Sequence, residues 1–349
     1  MRAKPVLIVG LFNKENKNNH NYISAAEQLA ALLSANNINV IRTSFYRSKL
    51  LRLIDTVYSI IKNNAKIEIA IVPLYGTRPS FIWQEVATRA LKLFRKKIIL
   101  IVHGGSIPQR MEINAAPFLK SLRRANVAVC PSAYLQQYLK QHGVNTLLIE
   151  NVLDLSAYTF YQRKSVDANI MWMRAFEDTY NPEMAVRVAG LLKKKYPHFT
   201  MVMAGKDEGM LGAIKHLSKQ SQLDGHIVFP GFISMQQKLE FAQKQHIYIC
   251  TNRIDNAPVS LIEFMALGLP VVSVNTGGIP YIIKDGYNGL LVDIDDDEAM
   301  VQKIELLIKN PSMASSVSEN AYHYSRQYGT ENVLAKWLNL FEQLYSKSP

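Results

Sequence analysis

One stretch of the chain, Thr251–Ser273, combines carboxylates, a proline and an apolar run that predicts a short helix. It begins where a predicted strand ends. Pro258 suits the first helical turn, because a backbone N–H at that position would have no partner within the helix. We predict a helix from about Ala257 to Gly268, with the amides of residues 259–261 free to bind an anion.

Two carboxylates accompany this helix. Asp255 lies in the loop before it, and Glu263 lies two turns inside it. Both can accept hydrogen bonds from sugar hydroxyls, although Asp255 could instead cap the helix and Glu263 could be a solvated residue. Glu263 stands between Ile262 and Phe264 in an otherwise apolar segment, where a carboxylate requires a partner. The stretch therefore predicts a binding site.

The elements that would position this site are short runs rich in Val, Ile and Leu, which alternate with amphipathic helical patterns. Such runs are typical of parallel sheets covered by helices on both faces. The predicted strands are Val6–Gly10, Val40–Thr43, Ile67–Val72, Ile98–His103, Val127–Cys130, Leu147–Ile149, Ile170–Met173, Met201–Ala204, His226–Phe229, Ile247–Thr251, Pro270–Ser273 and Gly289–Val292.

The alternation breaks at a polar stretch, Tyr158–Asn169, and then restarts. We therefore predict two doubly wound α/β domains, residues 1–164 and 165–329, with a linker near Ser165. A final helix in residues 330–349 is expected to pack toward the first domain. Ligands of such sheets bind outside the carboxyl ends of the strands, so a cleft between the two domains is the expected active site.

The composition excludes several classes of protein. The chain has 349 residues, of which 48% are hydrophobic and 19% charged, so it is neither disordered nor fibrous. No apolar run reaches the ~18 residues of a membrane-spanning helix, and no secretion signal is recognised. Two cysteines cannot form a disulfide framework, and no zinc spacing occurs. We expect a cytoplasmic protein.

The net charge of +12 is unevenly distributed. Residues 1–160 hold 21 basic and 8 acidic residues, whereas the remainder holds 19 and 20. The asymmetry predicts an anionic partner for the first half: nucleic acid, a membrane surface or a substrate. A basic but inert surface is the alternative.

The helical pattern Lys49–Lys62 has one apolar face. This face either packs on the core or, with Arg42, Tyr46 and Arg47, touches an anionic membrane.

The spacing of Asp255 and Glu263, followed by Met265, Ala266 and Gly268-Leu-Pro, resembles the signature of the retaining GT-B glycosyltransferases of family 4, the glycosyl transferases group 1. The resemblance continues at Gly277-Gly278 and Asp285–Val292, and more weakly over Ile170–Gly231, Val102–Gly105, Pro131-Ser132 and Ile149–Asn151. It implies two Rossmann-like domains facing each other across a cleft. It also implies a hexosyltransferase-type enzyme that needs no metal.

The resemblance also implies roles for individual residues. Glu263 would hold the ribose of a nucleotide-sugar donor, and Asp255 would contact the transferred sugar. Arg174 would bind the diphosphate, together with the segment Asn256, Pro258, Val259 and Ser260. His103 and Gly104 would lie near the reacting sugar on the side of a glycan or lipid-linked acceptor, which the first domain would bind.

The sequence departs from the family pattern at two places. Tyr180 stands where the family usually has a lysine, so Lys206 or Arg253 is expected to supply the second positive charge for the donor. The polar loop 13–21 replaces a glycine pair, and its Asn19 and His20 are expected on the acceptor side.

Alternative interpretations remain at this stage. The rivals are a nucleotide-sugar epimerase or hydrolase of the same fold, a nucleic-acid-binding protein and an inactive scaffold.

The acidic run Asp293–Glu298 suits a helix N-terminus better than a metal site. No metal or other cofactor is expected. The charge distribution favours an anionic acceptor or an anionic membrane beside the first domain over nucleic acid, and therefore a cytoplasmic protein that is peripheral on the inner face of the membrane.

Overall fold

The structure is a computed structural model that describes residues 4–12, 24–76, 78–103 and 107–346. The predicted acceptor residues Asn19, His20 and Gly104 lie outside these ranges. The chain forms two compact units. The first runs up to Leu153 and includes the chain from Tyr328 onward, and the second comprises Asp154–Gln327.

The first unit is a six-stranded sheet in the order β2-β1-β3-β4-β5-β6, and all neighbouring strands are parallel. Its strands are β1 (Val6–Val9), β2 (Val40–Thr43), β3 (Ile69–Tyr75), β4 (Lys97–His103), β5 (Val127–Cys130) and β6 (Leu147–Leu148). Its helices are α1 (Ala25–Ala35), α2 (Lys49–Lys62), α3 (Arg78–Leu93), α4 (Ile107–Asn114), α5 (Ala116–Leu122) and α6 (Ala133–Gln141). Alternate strand residues enter two hydrophobic clusters, one on each face.

The second unit repeats this plan with the strand order β9-β8-β7-β10-β11-β12. Its strands are β7 (Asn169–Met173), β8 (Thr200–Ala204), β9 (Ile227–Gly231), β10 (Ile247–Cys250), β11 (Val271–Val274) and β12 (Leu290–Val292). Its helices are α7 (Pro182–Lys195), α8 (Leu211–Gln220), α9 (Met235–Lys244), α10 (Val259–Ala266), α11 (Asp297–Lys309) and α12 (Pro311–Ser325). The strand order reverses between β7 and β10, and ligands of doubly wound sheets bind beside such a switch point.

The predicted fold class is confirmed for each unit. All twelve predicted strands are present, with shifted ends in several cases. The largest shift is in β3, predicted at Ile67–Val72, where pairing with β4 extends the strand to Tyr75. Among the described residues, no helix is both long and apolar enough to cross a bilayer.

The division between the units lies between Leu153 and Asp154, earlier than the predicted boundary after residue 164. Among the residues that join this stretch to the second unit is Arg163, which is only 3% exposed. Its guanidinium donates hydrogen bonds to the carbonyls of Gly268 (2.8 Å) and Gln245 (2.9 Å), and burial lowers its pKa to about 10. The polar stretch around Ser165 is therefore part of the second unit.

The last helix, α13 (Thr330–Ser346), belongs to the first unit. Trp337 and Phe341 enter the cluster that covers one face of the first sheet. Lys97 at the start of β4 donates a 2.6 Å hydrogen bond to the carbonyl of Leu344, and Lys336 pairs with the buried Glu150. The chain therefore returns to its first sheet after completing the second.

Candidate active site

Arg174 and Asp255 meet at the switch point of the second sheet. Arg174 follows β7 and Asp255 follows β10, and these strands are neighbours. The two side chains form an ion pair in which they are 14% and 12% exposed. Burial is the largest single influence on the pKa of the Arg174 guanidinium and lowers it, but Asp255, together with Tyr180, Tyr248 and Cys250, outweighs burial and raises the pKa. The Arg174 guanidinium therefore stays protonated.

Tyr180 stacks against this charge. The guanidinium carbon of Arg174 lies 4.0 Å from the centre of the Tyr180 ring, and its Nη1 lies 3.4 Å from Ser260 Oγ. An aromatic face attracts a cation, so the ring both orients and stabilises the guanidinium. Tyr180, which replaces the lysine usual in the family, is thus a support for Arg174 and adds no charge of its own.

Asp255 is held from several sides. Its Oδ2 accepts hydrogen bonds from Arg174 and from Asn252 Nδ2 (2.9 Å), and its Oδ1 accepts one from the backbone N–H of Ala257 (3.2 Å). Burial raises the pKa of Asp255, and the Arg174 guanidinium opposes that rise. The N-cap of α10 is Pro258, so Asp255 positions Arg174 and does not cap the helix.

Two buried polar atoms of this cluster have no hydrogen-bond partner among the described residues. They are Nε of Arg174, a donor, and Oδ1 of Asn252, an acceptor. A buried polar group without a partner costs about 1–3 kcal/mol, so such atoms are uncommon in stable interiors. A polar ligand or an ordered water beside the ion pair would satisfy both atoms.

Glycines hold the loops of the site against each other. A Cβ on Gly278 would lie 1.8 Å from the carbonyl oxygen of Asn256, and one on Gly205 would lie 1.7 Å from that of Arg174. The Gly278 N–H also donates a 2.7 Å hydrogen bond to the Asp255 carbonyl. Only residues without a side chain allow this approach. The glycine pair singled out in the sequence therefore supports the loop that carries Asp255.

The helix α10 begins beside the ion pair. It starts at Val259, which is 46% exposed, and Ser260 shares a 2.9 Å hydrogen bond with the buried hydroxyl of Tyr248. The N–H of Leu261 donates to the Pro258 carbonyl at 3.2 Å. The prediction that the Leu261 amide is free is therefore wrong, because the first turn is tight enough to use it.

Glu263 has its partners inside the second unit. It is 8% exposed, and its Oε1 accepts hydrogen bonds from the Tyr158 hydroxyl (2.6 Å) and from Lys238 Nζ (2.7 Å). Burial and the Glu263 carboxylate both raise the pKa of Tyr158. The interpretation as a solvated residue is wrong, and the expected partner is present. Sequence reasoning missed Lys238 and Tyr158, because no local spacing links them to Glu263.

The two candidates for a second positive charge have other partners. Lys206 is highly exposed and pairs with Glu208. Arg253 donates hydrogen bonds to Asp295 (2.7 Å) and Asn181 (3.1 Å). In the described structure the Arg253 guanidinium thus contacts the acidic loop before α11 and not the Arg174 pair.

The acidic run Asp293–Glu298 begins a helix, as predicted. Asp296 caps α11 by accepting a 2.8 Å hydrogen bond from the N–H of Ala299. Asp297 pairs with Arg187 at 2.6 Å. Acidic residues at this place also suit the positive end of the helix dipole. The run is accounted for by these structural roles.

His103 ends β4 in the first unit. Its ring stacks on Tyr75 with centroids 5.9 Å apart. The protein atoms that surround the ring lower its pKa to about 4, because a charged imidazole would lose its hydration there. His103 is therefore a neutral imidazole near pH 7.

Residues 162–324, which include Arg174, Asp255 and Glu263, match the family model described as Glycosyl transferases group 1. An uncharacterized glycosyltransferase of Haemophilus influenzae is 29% identical over 154 residues, which are 44% of this chain and 42% of that protein. The poly(ribitol-phosphate) alpha-N-acetylglucosaminyltransferase of Staphylococcus aureus is 24% identical over 207 residues, 57% of this chain and 41% of that protein. The chain thus spans less than half the length of either relative.

Among solved structures, Anabaena HepE in complex with UDP and glucose superposes with a TM-score of 0.74. The match covers 98% of this chain and all of HepE at 13% identity, so it shows a shared fold. Residues 162–324 thus resemble the glycosyl transferases group 1, and the chain as a whole has the GT-B fold.

Proposed function

We propose that this protein is a retaining, metal-independent glycosyltransferase that moves a sugar from a nucleotide-sugar to a glycan or lipid-linked acceptor. The observation that carries the proposal is the buried Arg174–Asp255 pair at the switch point, beside the start of α10. A permanent cation and a helix N-terminus at one place form a site for a diphosphate. The family match of the same region favours a sugar nucleotide as the diphosphate.

Arg174 would act on the leaving group. Negative charge develops on the diphosphate oxygen as the bond to the sugar breaks, and a guanidinium fixed in advance stabilises that charge without reorganisation. The guanidinium would donate to the diphosphate together with the backbone N–H groups at the start of α10. Asp255 would keep the guanidinium in place and meet hydroxyls of the transferred sugar. These groups supply the positive charge that other transferases obtain from a metal.

Glu263 would bind the ribose of the donor. Lys238 and Tyr158 both contact Oε1, which fixes the orientation of the carboxylate. An ionised carboxylate accepts hydrogen bonds from two neighbouring hydroxyls, as the ribose of a nucleotide presents them. The neutral His103 of the first unit would contact the donor sugar or the acceptor. The acceptor would then attack from the side of the leaving group, which retains the configuration of the sugar.

The acceptor is expected to be anionic or to be presented at an anionic surface, because residues 1–160 carry the whole positive excess. The name of the Staphylococcus aureus relative describes transfer to poly(ribitol-phosphate), which is an anionic acceptor. A lipid-linked acceptor would place the protein at the inner face of the membrane.

Donor binding is the first test. We expect one of UDP-, GDP- or ADP-sugars to raise the melting temperature of the second unit. At about 100 times its dissociation constant, the ligand adds ~2.7 kcal/mol, which corresponds to about 5–10 °C for a unit of this size. Arg174→Met should abolish the shift. Arg187→Met, which removes an exposed arginine paired with Asp297, is the matched control and should retain it.

Product analysis then separates transfer from the rival reactions. The bound donor is incubated with and without candidate acceptors, and the anomeric configuration of the product is read by NMR. A product with retained configuration that requires the acceptor supports the proposal. Epimerised donor or free sugar formed equally without any acceptor would identify an epimerase or hydrolase instead. Absence of any shift with all the sugar nucleotides would contradict the assignment of the donor site.

A further inference from the structure

Helix α2 presents a large apolar surface to solvent. Five of its apolar side chains are about half exposed or more: Leu50 (67%), Leu51 (48%), Ile54 (56%), Tyr58 (57%) and Ile61 (56%). At 100° per residue they share one side of the helix. The expectation that these residues pack on the core is therefore wrong, because the helix buries a different side. Single exposed apolar residues are ordinary, but a contiguous group of this size marks an interaction site.

Buried hydrogen bonds fix the rotation of the helix. The hydroxyl of Thr56 accepts hydrogen bonds from Trp83 Nε1 (3.0 Å) and from the Thr43 hydroxyl (3.1 Å). Ile60 on the same side is completely buried. Turning the exposed side inward would break these hydrogen bonds and expose Ile60. The apolar surface is thus a stable feature of the first unit.

The charges beside this surface are positive. Arg47 and Lys49 precede or begin the helix, Lys62 ends it, and all three are exposed. The ammonium of Lys62 lies 5.6 Å from the centre of the Tyr58 ring. Asp55 is the single acidic residue of the helix. A second copy of this chain would bring like charges together across a two-fold contact, whereas an anionic surface complements them.

We propose that the α2 surface, defined as Leu50, Leu51, Ile54, Tyr58 and Ile61 with the flanking Arg47, Lys49 and Lys62, binds an anionic lipid bilayer. The helix would lie in the plane of the bilayer with its aliphatic side chains among the acyl chains near the headgroups. The tyrosine suits this boundary because it has an apolar body and a polar tip. The basic residues would pair with lipid phosphates.

Vesicle co-sedimentation of the full chain tests the proposal. Vesicles of phosphatidylcholine with phosphatidylglycerol should bind the protein, and vesicles of phosphatidylcholine alone should bind it far less. Lys49→Gln with Lys62→Gln should lower the partition coefficient by about 30-fold, since each basic residue near such a surface contributes ~1 kcal/mol. Lys215→Gln with Lys219→Gln, which removes the same charge from exposed positions of α8, should leave binding unchanged.

Ile54→Glu tests the apolar contribution and should reduce binding even at low salt. Because Ile54 is exposed, the variant should keep the wild-type melting temperature. Equal binding by wild type and Ile54→Glu would overturn the proposal. So would wild-type dimers that Ile54→Glu converts to monomers, since a second copy would then cover the surface. Vesicle binding requires neither donor nor acceptor, so its failure would leave the proposed transfer reaction standing.

Discussion

Replacing Arg174 by methionine removes the charge of the guanidinium and keeps most of its volume. The variant loses the ion pair with Asp255 and the contact with the Tyr180 ring. Because both charged side chains are less than 15% exposed, the loss leaves a buried carboxylate without its cation. Breaking a buried pair in this way costs about 3–5 kcal/mol. The lower end applies here, since Asn252 and Ala257 still donate hydrogen bonds to Asp255.

The double variant Arg174→Met, Asp255→Asn separates stability from catalysis. Neutralising both partners removes the uncompensated charge, so the free energy of unfolding should return to within about 1 kcal/mol of wild type. The value of kcat/KM should remain about 100- to 1,000-fold low in both variants, because the group that meets the developing phosphate charge is absent. Urea denaturation and steady-state kinetics measure the two effects. A double variant as unstable as the single one would show that the uncompensated charge of Asp255 is not what destabilises Arg174→Met.

The pH dependence of the single variant gives an independent check. Burial already raises the pKa of Asp255 in the native protein, and without Arg174 nothing of opposite charge offsets burial. A carboxyl with a raised folded pKa binds protons more tightly in the native state, so stability falls as pH rises from the unfolded pKa of ~3.9 toward the folded value. The destabilisation by Arg174→Met should therefore be smaller near pH ~4 than at neutral pH. If Arg174→Met lowers the free energy of unfolding equally at both pH values, Asp255 does not titrate between them.

Three further predictions concern the rest of the two units. Replacing Lys238 by methionine should weaken binding of the sugar nucleotide that raises the melting temperature about 10-fold in calorimetry, because Glu263 loses the cation that orients it, whereas arginine at the same position should restore most of the affinity. Gly278→Ala should reduce donor affinity in the same assay, since its Cβ would displace the loop of Asp255. The matched Gly190→Ala, whose Cβ meets nothing within 4 Å, should instead raise stability by about 0.5–1 kcal/mol. The pKa of His103, lowered to about 4, implies that acidification from its unfolded value of ~6.5 reduces stability, and NMR titration of the ring should show no protonation above pH ~5.

Local patterns predicted much of the fold. The strands were identifiable because both faces of a parallel sheet are buried, which makes each strand a continuous apolar run. Asp255 was identifiable from the sequence because it lies in the loop between a strand and the helix at Pro258, whereas Arg174, which directly follows β7, was singled out by the family resemblance; the carboxyl ends of these two neighbouring strands meet at one edge. The position of Pro258 likewise predicted where α10 begins to within a residue or two.

Other features depend on contacts between distant parts of the chain. Lys238 and Tyr158 reach Glu263 from different elements, so neither has a detectable spacing to it. The polar stretch around Ser165 belongs to the second unit because Arg163 donates a hydrogen bond to the carbonyl of Gly268, which lies 105 residues further along the chain. In α2 the apolar residues cover about half the circumference of the helix, and only the hydrogen bonds of Thr56 decide which part is buried.

The α/β class, the two sheets and the place of Asp255 before α10 can be predicted from the sequence, because they follow from periodicity and from order along the chain. Tertiary structure alone decided the partners of each charge, the division after Leu153 and the exposed side of α2. The physical reason is that burial and pairing of a charged or apolar side chain depend on which elements pack beside it. That information is distributed over the whole chain and is absent from any local window.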